Sequence, residues 1–358
     1  MVDAVTFLRE MVGIRSHSGE EAEVARYIVD RMNELGFDAH VDEAGNAVGT
    51  RRGADVSKDS EPGRELVLLG HMDTVPGDVP QHTDGDLLYG RGSVDAKGPL
   101  ATFVMAVAAA KLVPDITVTV VGAVEEESAT SKGARHRAAF HRPEACIIGE
   151  PSGWDACTLG YKGRMLLDLH AEQPGGHSAG PQGGVGEMGV SLWNAMMALA
   201  DEINADCPKL FDQLMPSLRS FVTSSDGLTD VVDATFGFRL PPEFDTERIK
   251  SRARETLPDA KLAFYGEEKA WATPRTTPLA RAFTRAFRAH DLKPRFKHKT
   301  GTSDMNVLGP HWQCPFIAYG PGDSLLDHTP NEHLSLSEYQ RAIGLLGSVL
   351  VEGGYALA

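Results

Sequence analysis

Acidic and imidazole side chains follow the carboxyl ends of several short apolar segments, and this arrangement constrains the fold most. Three predicted strands end in this way: 65–70 before His71 and Asp73, 116–124 before Glu125, Glu126 and Glu127, and 145–149 before Glu150. Asp95 precedes a predicted Ala-rich helix at 97–112. In an open sheet of parallel strands the carboxyl ends meet at one edge, where ligands bind. The sequence therefore predicts that these dispersed side chains converge there.

The alternation of short β-branched strands with helices predicts an α/β fold, a mostly parallel sheet sandwiched by helices. The middle of the 358-residue chain instead contains two long strand-like segments separated by a helix at 190–203. This order is typical of a small α+β domain. We therefore expect a discontinuous catalytic, metal-binding domain at 1–162 and 274–358, with an inserted lid and dimerisation domain at 163–273.

The composition argues against several classes of protein. Hydrophobic residues make up 42% and charged residues 24% of the chain, which suits a large core rather than disorder. A net charge of −15 makes general binding to nucleic acid or an anionic membrane unfavourable. The longest apolar run, 103–110, is too short to span a membrane, and the N-terminus lacks a secretory signal. Scattered cysteines without a Cys-x-x-Cys pattern predict reduced thiols in a cytoplasmic protein.

The side chains at the strand ends have the chemistry of a metal site. Taken singly, each has an ordinary interpretation: Asp95 could cap a helix, and a run of glutamates is usually solvated. Buried together, Asp95, Glu126 and Glu150 would repel one another unless cations neutralise them. Carboxylates combined with imidazoles suit two divalent metal ions, zinc first and cobalt with the same ligands. A second histidine is needed, and His328 and His333 are both candidates.

Longer motifs surround these residues and occur in a characteristic order. They are 70–76 (GHMDTVP), 90–98 (GRGSVDAKG), 125–127 (EEE), 149–151 (GEP), 176–179 (GHSA) and 301–304 (GTSD). In order and spacing they resemble the M20 family of dinuclear zinc amidohydrolases and peptidases, which includes acetylornithine deacetylase, succinyl-diaminopimelate desuccinylase and carboxypeptidase G2. The resemblance spans nearly the whole chain and implies two divalent metal ions and the hydrolysis of an amide bond.

The resemblance also implies a role for each residue of the site. The metal ligands would be His71, Glu126, Glu150 and His328 as terminal ligands and Asp95 as the bridging ligand. His328 is preferred to His333 because residues 328–332 (HTPNE) resemble the closing His-x-x-x-Glu pattern of the family. Asp73 would orient the imidazole of His71, and Glu125 would act as the general base. The peptide bond that follows Asp95 is expected to be cis.

Two further sets of residues are implied to contact the substrate. His177, in the lid motif, would reach the active site of a partner subunit and stabilise the oxyanion, which predicts a homodimer. Arg239 and the loop residues Gly301, Thr302 and Ser303 are candidates for holding the α-carboxylate of the released amino acid. Purely structural roles are the alternative for these four residues.

Several stretches resemble one member of the family in particular, a hydrolase of lysine and arginine biosynthesis. They are 48–49, 122–127, 131–135, 149–154 and 158–164. That enzyme releases lysine or ornithine from the amino-group carrier protein LysW, so an acidic carrier of this type is the expected partner. The alternatives are an N-acetyl-lysine or N-acetyl-ornithine deacetylase and, in another class, a binding or scaffold protein without catalysis. Because the chain is itself acidic, we expect the carrier to dock on a local basic patch at 293–299 (KPRFKHK).

Overall fold

The strands and helices alternate as the sequence predicts. The computed structural model describes residues 3–57, 64–140, 142–177 and 183–351. Its helices are α1 (Ala4–Gly13), α2 (Ala22–Glu34), α3 (Lys97–Ala109), α4 (Lys132–Ala138), α5 (Val185–Asn204), α6 (Glu247–Thr256), α7 (Pro278–Ala289), α8 (Asp304–Trp312) and α9 (Leu336–Leu350). Its strands are β1 (Asp38–Val41), β2 (Ala47–Arg52), β3 (Arg64–His71), β4 (His82–Asp84), β5 (Leu87–Tyr89), β6 (Ile116–Ala123), β7 (Ala145–Gly149), β8 (Cys157–Tyr161), β9 (Gly163–Pro174), β10 (Met215–Ser225), β11 (Thr229–Leu240), β12 (Lys261–Glu268), β13 (Trp271–Ala272), β14 (Phe296–Lys299), β15 (Phe316–Tyr319) and β16 (His333–Ser335).

The largest sheet has its parallel strands at the centre. Its order is β1-β2-β6-β3-β7-β15-β8-β13, with β14 paired to β8. β3 runs parallel to both β6 and β7, and β15 runs parallel to β7. β1 pairs antiparallel with β2, β2 with β6, and β8 with β15. The predicted α/β fold with a mostly parallel central sheet is confirmed.

Helix α3 brings the Asp95 loop close to this sheet. Apart from Lys97 and Thr102 its residues are apolar or glycine, and almost the whole helix is buried between β3 and the helices α1 and α9. The packing of β7 against β3 and α3 depends on Gly149 of β7. A Cβ atom at this position would lie 2.9 Å from the Cα of Gly70 in β3 and 3.0 Å from the ring of Phe103 in α3. Since β6, β3 and β7 are adjacent and parallel, their carboxyl ends open beside the start of this helix.

The contacts within the chain divide it into two units. The first comprises Met1–Gly160, Ala272–His298 and Ser303–Ala358, and the second comprises Tyr161–Trp271 and Lys299–Thr302. The short segment 299–302 was expected in the catalytic domain, but its contacts are with the second unit. The role of the inserted segment 163–273 as a lid and dimerisation domain stays a prediction.

The second unit is a four-stranded antiparallel sheet covered by helices. The strand order is β10-β11-β9-β12. Side chains of β9 and β11, including Leu167 and Phe236, form a buried core with Leu192 of α5 and Ile249 of α6. Strand β10 was not predicted, because its side chains are largely exposed and show no alternation of apolar and polar positions. Among the described residues of the chain, no helix combines the length and apolar character that crossing a membrane requires.

Candidate metal centre

His71 is the last residue of β3, so its imidazole lies at the carboxyl edge of the sheet, where two neighbouring residues fix its orientation. Its Nδ1 lies 3.0 Å from the backbone oxygen of Asp73, and its Nε2 lies 3.2 Å from Oδ1 of Asp95. Nδ1 also lies 3.4 Å from Oδ1 of Asp73. Burial would lower the pKa of His71, but the contacts with the carboxylates of Asp73 and Asp95 outweigh burial and raise the pKa well above its ordinary value. One ring nitrogen is thus fixed by the protein while the other faces a carboxylate, as in imidazoles that bind metals.

Asp73 is fully buried and organises the loop that carries the glutamates. Its two carboxylate oxygens accept the backbone N–H groups of Glu126 and Glu127, each at 3.0 Å, and Oδ2 also accepts the hydroxyl of Ser18 at 2.6 Å. Burial would raise the pKa of Asp73, but the hydrogen bond and charge of His71 hold that pKa below its usual value. One carboxylate therefore sets the positions of the imidazole and of the glutamate loop together.

Asp95 presents its two carboxylate oxygens to two imidazoles. Oδ1 lies 3.2 Å from Nε2 of His71, and Oδ2 lies 3.0 Å from Nε2 of His328. These contacts lower the pKa of Asp95 despite its burial, which acts in the opposite direction. The peptide bond between Asp95 and Ala96 is cis, as predicted. Asp95 therefore faces both imidazoles at once, one with each carboxylate oxygen.

The side chains of the three consecutive glutamates, 125–127, have different neighbours. Oε1 of Glu127 lies 2.8 Å from Nε2 of His328, and donor atoms of His71, Asp95 and Glu127 all lie within 4.8 Å of one another, as in a metal site. Glu126 is farther from His71, with its Oε2 at 4.0 Å from Nε2. The structure therefore brings Glu127, which was not among the predicted ligands, to the position expected for Glu126.

Glu125 is outside the donor group of His71, Asp95 and Glu127 and contacts other residues. Its backbone has a φ of 57°, in the left-handed region, and its Oε2 accepts the hydroxyl of Thr130 at 2.6 Å. Its Oε1 lies 3.7 Å from Nζ of Lys132. The backbone N–H of Glu125 donates to Glu21, a buried carboxylate that sequence analysis did not identify. These contacts do not favour the predicted role of Glu125 as general base.

Glu126 and Glu150 add two further carboxyl groups at this edge of the sheet. Glu150 directly follows β7 and is 8% exposed, and β7 pairs with β3 so that Gly149 is opposite Gly70. Burial and the charges of Glu150 and Glu127, opposed by His71, raise the pKa of Glu126 well above its ordinary value. So many carboxylates in one buried place are costly unless cations neutralise them. The donor set therefore fits divalent metal ions.

The two candidate histidines have different surroundings. His328 lies between Asp95 and Glu127, whose hydrogen bonds raise its pKa to about 10. His333 belongs to β16, where its ring lies 4.8 Å from the ring of Tyr89 and its Nδ1 lies 2.7 Å from the backbone oxygen of Asn331. Of the two, His328 is the one that contacts Asp95 and Glu127, and its role as a metal ligand stays a prediction.

The predicted substrate-contacting residues fall in different parts of the chain. In the second unit, Nη1 of Arg239 donates to Oγ1 of Thr302 at 2.6 Å, while Gly301 has open space beside its Cα. Ser303 is buried and caps α8, accepting the N–H of Met305, which is a structural role. The exposed His177 ends a described segment, and residues 178–179 of its motif lie outside the described residues.

An α/β sheet that gathers two imidazoles and several carboxylates at its carboxyl edge is typical of a metal-dependent hydrolase. Residues 67–352 match the family described as Peptidase family M20/M25/M40. The chain is 44% identical over 356 residues to a protein of Deinococcus radiodurans named LysW-lysine hydrolase, with 96% of this chain and 95% of the relative covered. It is 38% identical over 353 residues to a protein of Thermococcus kodakarensis named putative LysW-lysine/LysW-ornithine hydrolase, with 98% and 92% covered. The chain therefore belongs to the M20 peptidase family.

Solved structures have the same fold at low sequence identity. An M20 family metallo-carboxypeptidase from Sulfolobus solfataricus superimposes with a TM-score of 0.77 at 16% identity, covering 97% of this chain and 98% of the other. A tripeptidase from Staphylococcus aureus gives a TM-score of 0.75 at 17% identity, covering 97% and 96%. At this identity the similarity establishes the fold alone.

Proposed function

We propose that this protein is a metal-dependent amidohydrolase that releases lysine, or ornithine, from an amino-group carrier protein of the LysW type. The observation that carries the proposal is the 44% identity, over 96% of the chain, to a relative named LysW-lysine hydrolase. The candidate metal centre supports hydrolysis and disfavours the scaffold alternative, because its imidazoles and carboxylates are all present. A cytoplasmic location would suit a biosynthetic reaction of this kind, and the four cysteines are unbridged.

We assign the ligands by their contacts and their order along the sheet. His71, Asp95 and Glu150 would hold one metal ion, since Gly70 pairs with Gly149 and the next residues along these two parallel strands are His71, the last residue of β3, and Glu150, which follows β7. Asp95, Glu127 and His328 would hold the second. Zinc is the metal proposed for this set of nitrogen and oxygen donors. Divalent ions held there would lower the pKa of a water molecule to about 7 and polarise the amide carbonyl.

Glu126 is the general base in this proposal. Its Oε2 lies 4.0 Å from Nε2 of His71, and Glu126 is outside the group of His71, Asp95 and Glu127 whose donor atoms converge, so its carboxylate can serve as a proton acceptor next to the metal ions. It would take a proton from the attacking water, whose oxygen bonds to the amide carbon. When the C–N bond breaks, the same proton would pass to the departing amino nitrogen.

The remaining expectations concern the second unit. Arg239 and Thr302 are joined by a hydrogen bond, and a guanidinium with a neighbouring hydroxyl suits a carboxylate such as that of the released amino acid. We propose that His177 is supplied to the active site of a partner subunit in a homodimer. This assignment of His177 rests on its motif and on the exposure of its side chain.

The decisive experiment compares substrates in parallel. The purified protein, loaded with zinc or cobalt, is offered carrier-linked lysine, carrier-linked ornithine, N-acetyl-lysine and N-acetyl-ornithine, and the released amino acid is measured. The proposal expects the highest kcat/KM for a carrier-linked substrate. Preference for an acetylated substrate would identify a deacetylase instead, and absence of hydrolysis with metal bound would favour the scaffold interpretation.

A further inference from the structure

Glu332 is a fully buried carboxylate whose two oxygens are both occupied. Its Oε1 accepts the backbone N–H groups of Val94 at 3.0 Å and of Asp95 at 3.1 Å. Its Oε2 lies 2.8 Å from Nη1 of Arg91 in an ion pair of which both side chains are mostly buried. The side chain of Glu332 therefore holds the backbone of the residue proposed to bridge the two metal ions.

Arg91 extends this contact to two other loops. Its Nε donates to the backbone oxygen of Gly77 at 2.8 Å, in the loop that follows the His71 segment. Its Nη1 also donates to the backbone oxygen of Thr329 at 3.3 Å, next to His328. The Arg91–Glu332 pair thus touches the loops that carry His71, Asp95 and His328, which are distant in sequence.

We propose that Glu332 and Arg91 are positioning residues that set the distance between the two imidazoles and the Asp95 carboxylate. Asp95 can face His71 with one oxygen and His328 with the other only if the three loops that carry these residues keep fixed positions relative to one another. Both members of a buried ion pair must be present, because removing one leaves an uncompensated charge. The inference rests on the proposed metal centre and is independent of the carrier substrate.

The test measures metal affinity rather than activity alone. Zinc or cobalt is titrated into metal-free wild type and Glu332→Gln in competition with a chelator. Loss of an outer residue that orients ligands typically weakens metal binding about 10–100-fold, and we expect the dissociation constant of Glu332→Gln to rise by that factor. Glu144→Gln is the matched control, because Glu144 pairs with Arg64 at the opposite end of β3. The control should bind metal as the wild type does.

Unfolding of the metal-free proteins is followed alongside. A purely structural pair would lower the Tm of metal-free Glu332→Gln and leave its metal affinity unchanged, which would overturn the proposal. If Glu332→Gln does not fold, Arg91→Lys is tested instead. A lysine keeps the positive charge but cannot donate to the backbone oxygens of Gly77 and Thr329 together. Unchanged metal affinity of Arg91→Lys would also overturn the proposal. Failure of the wild type to bind two metal ions would instead refute the metal centre itself.

Discussion

The Nε2 atom of His328 lies 2.8 Å from Oε1 of Glu127, although 201 residues separate them in the sequence. The same nitrogen lies 3.0 Å from Oδ2 of Asp95. The loop that carries His328 therefore contacts the glutamate loop that follows β6, and both contribute residues to the proposed metal centre. This contact distinguishes the third glutamate of the run 125–127 from its two neighbours.

Replacing Glu127 should remove a metal ligand. Glu127→Gln keeps the shape of the side chain but loses the charge that faces His328, so we expect one of two metal ions to bind at least about tenfold more weakly. Metal content after dialysis and titration with cobalt would measure the loss. Two ions bound with unchanged affinity would show that Glu127 is not a ligand.

Replacing Glu126 should have a different effect. If Glu126 is the general base, Glu126→Gln retains both metal ions and lowers kcat by about two to four orders of magnitude. Glu125→Gln is the matched control within the same run, because its carboxylate accepts a hydrogen bond from Thr130 and is outside the group of His71, Asp95 and Glu127. A larger loss of kcat in Glu125→Gln than in Glu126→Gln would restore the role first expected for Glu125.

Metal binding should release protons, with a contribution from His328. In the metal-free protein the pKa of His328 is about 10 because of Asp95 and Glu127, so its imidazole is protonated at neutral pH. A metal binds only the neutral ring, and the apparent affinity should therefore rise as the pH approaches 10. The stabilising effect of protonated His328 on the metal-free fold is complete below its unfolded pKa of roughly 6.5 and is lost through pH 10.

Calorimetry in buffers of different ionisation enthalpy counts these protons. His328→Ala should release about one proton fewer than the wild type when metal binds. His333→Ala, outside the cluster, should leave the count unchanged. Equal proton release by the wild type and His328→Ala would contradict the expectation.

The sequence was sufficient for the elements and residues that follow regular rules. His71 and Glu150 could be placed together because they end adjacent parallel strands, and the parallel order follows from the alternation of strands and helices. The glutamate run could not be resolved in the same way. Its members are identical, the strand ends at Ala123 rather than at the predicted 124, and a shift of one residue exchanges the direction of every side chain.

Other features depend on contacts that leave no sequence pattern. Glu332 and Glu21 hold backbone N–H groups of distant loops, and any acidic residue could do so from the same position. Strand β10 is an edge strand with mostly exposed side chains, so it lacks the period of two that identifies a half-buried strand. The roles of Glu332, Glu21 and β10 are therefore evident only from the three-dimensional structure.

Lys162 should be important for the stability of the second unit. Its buried ammonium donates to the backbone oxygens of Leu210 at 2.9 Å, Phe211 at 3.0 Å and Gln213. Lys162→Met would leave these oxygens without their donor and should lower the free energy of unfolding by roughly 2 kcal/mol. Denaturant unfolding would measure the change. The exposed Lys209, beside the same turn, provides the control Lys209→Met, and equal effects of the two variants would contradict the argument.

The dimer should depend on the exposed edge of the second unit. Strand β10 is at the edge of its sheet within the described residues and presents Leu218 and Val222, which are 44% and 56% exposed. Such an edge readily pairs with another chain. We expect Val222→Asp to shift the protein towards monomers in light scattering and to reduce turnover. Val41→Asp, at an exposed apolar position of the first unit, should remain dimeric. A fully active monomeric wild type would refute the proposed dimer.

The basic patch should affect carrier-linked substrates selectively. Lys293, Arg295 and Lys297 are exposed around the start of β14, although Arg295 is 3.1 Å from Asp155 and is partly neutralised. Because the chain is acidic overall, an acidic carrier needs a local positive region to approach. Replacing the three residues with alanine should lower kcat/KM for carrier-linked lysine by about tenfold at low salt, mainly through slower association, and should flatten its salt dependence.

A matched set of charges separates docking from general electrostatics. Arg281, Arg285 and Arg288 are also exposed, on α7 of the same unit, and their triple alanine variant removes the same charge. We expect that control to have little effect on carrier-linked lysine, and both triple variants to hydrolyse a small N-acyl-lysine at the wild-type rate. Equal losses on both substrates in the first variant would mean that the patch supports the neighbouring loop structurally. Equal losses with the carrier in both variants would mean that overall charge, rather than this patch, governs association.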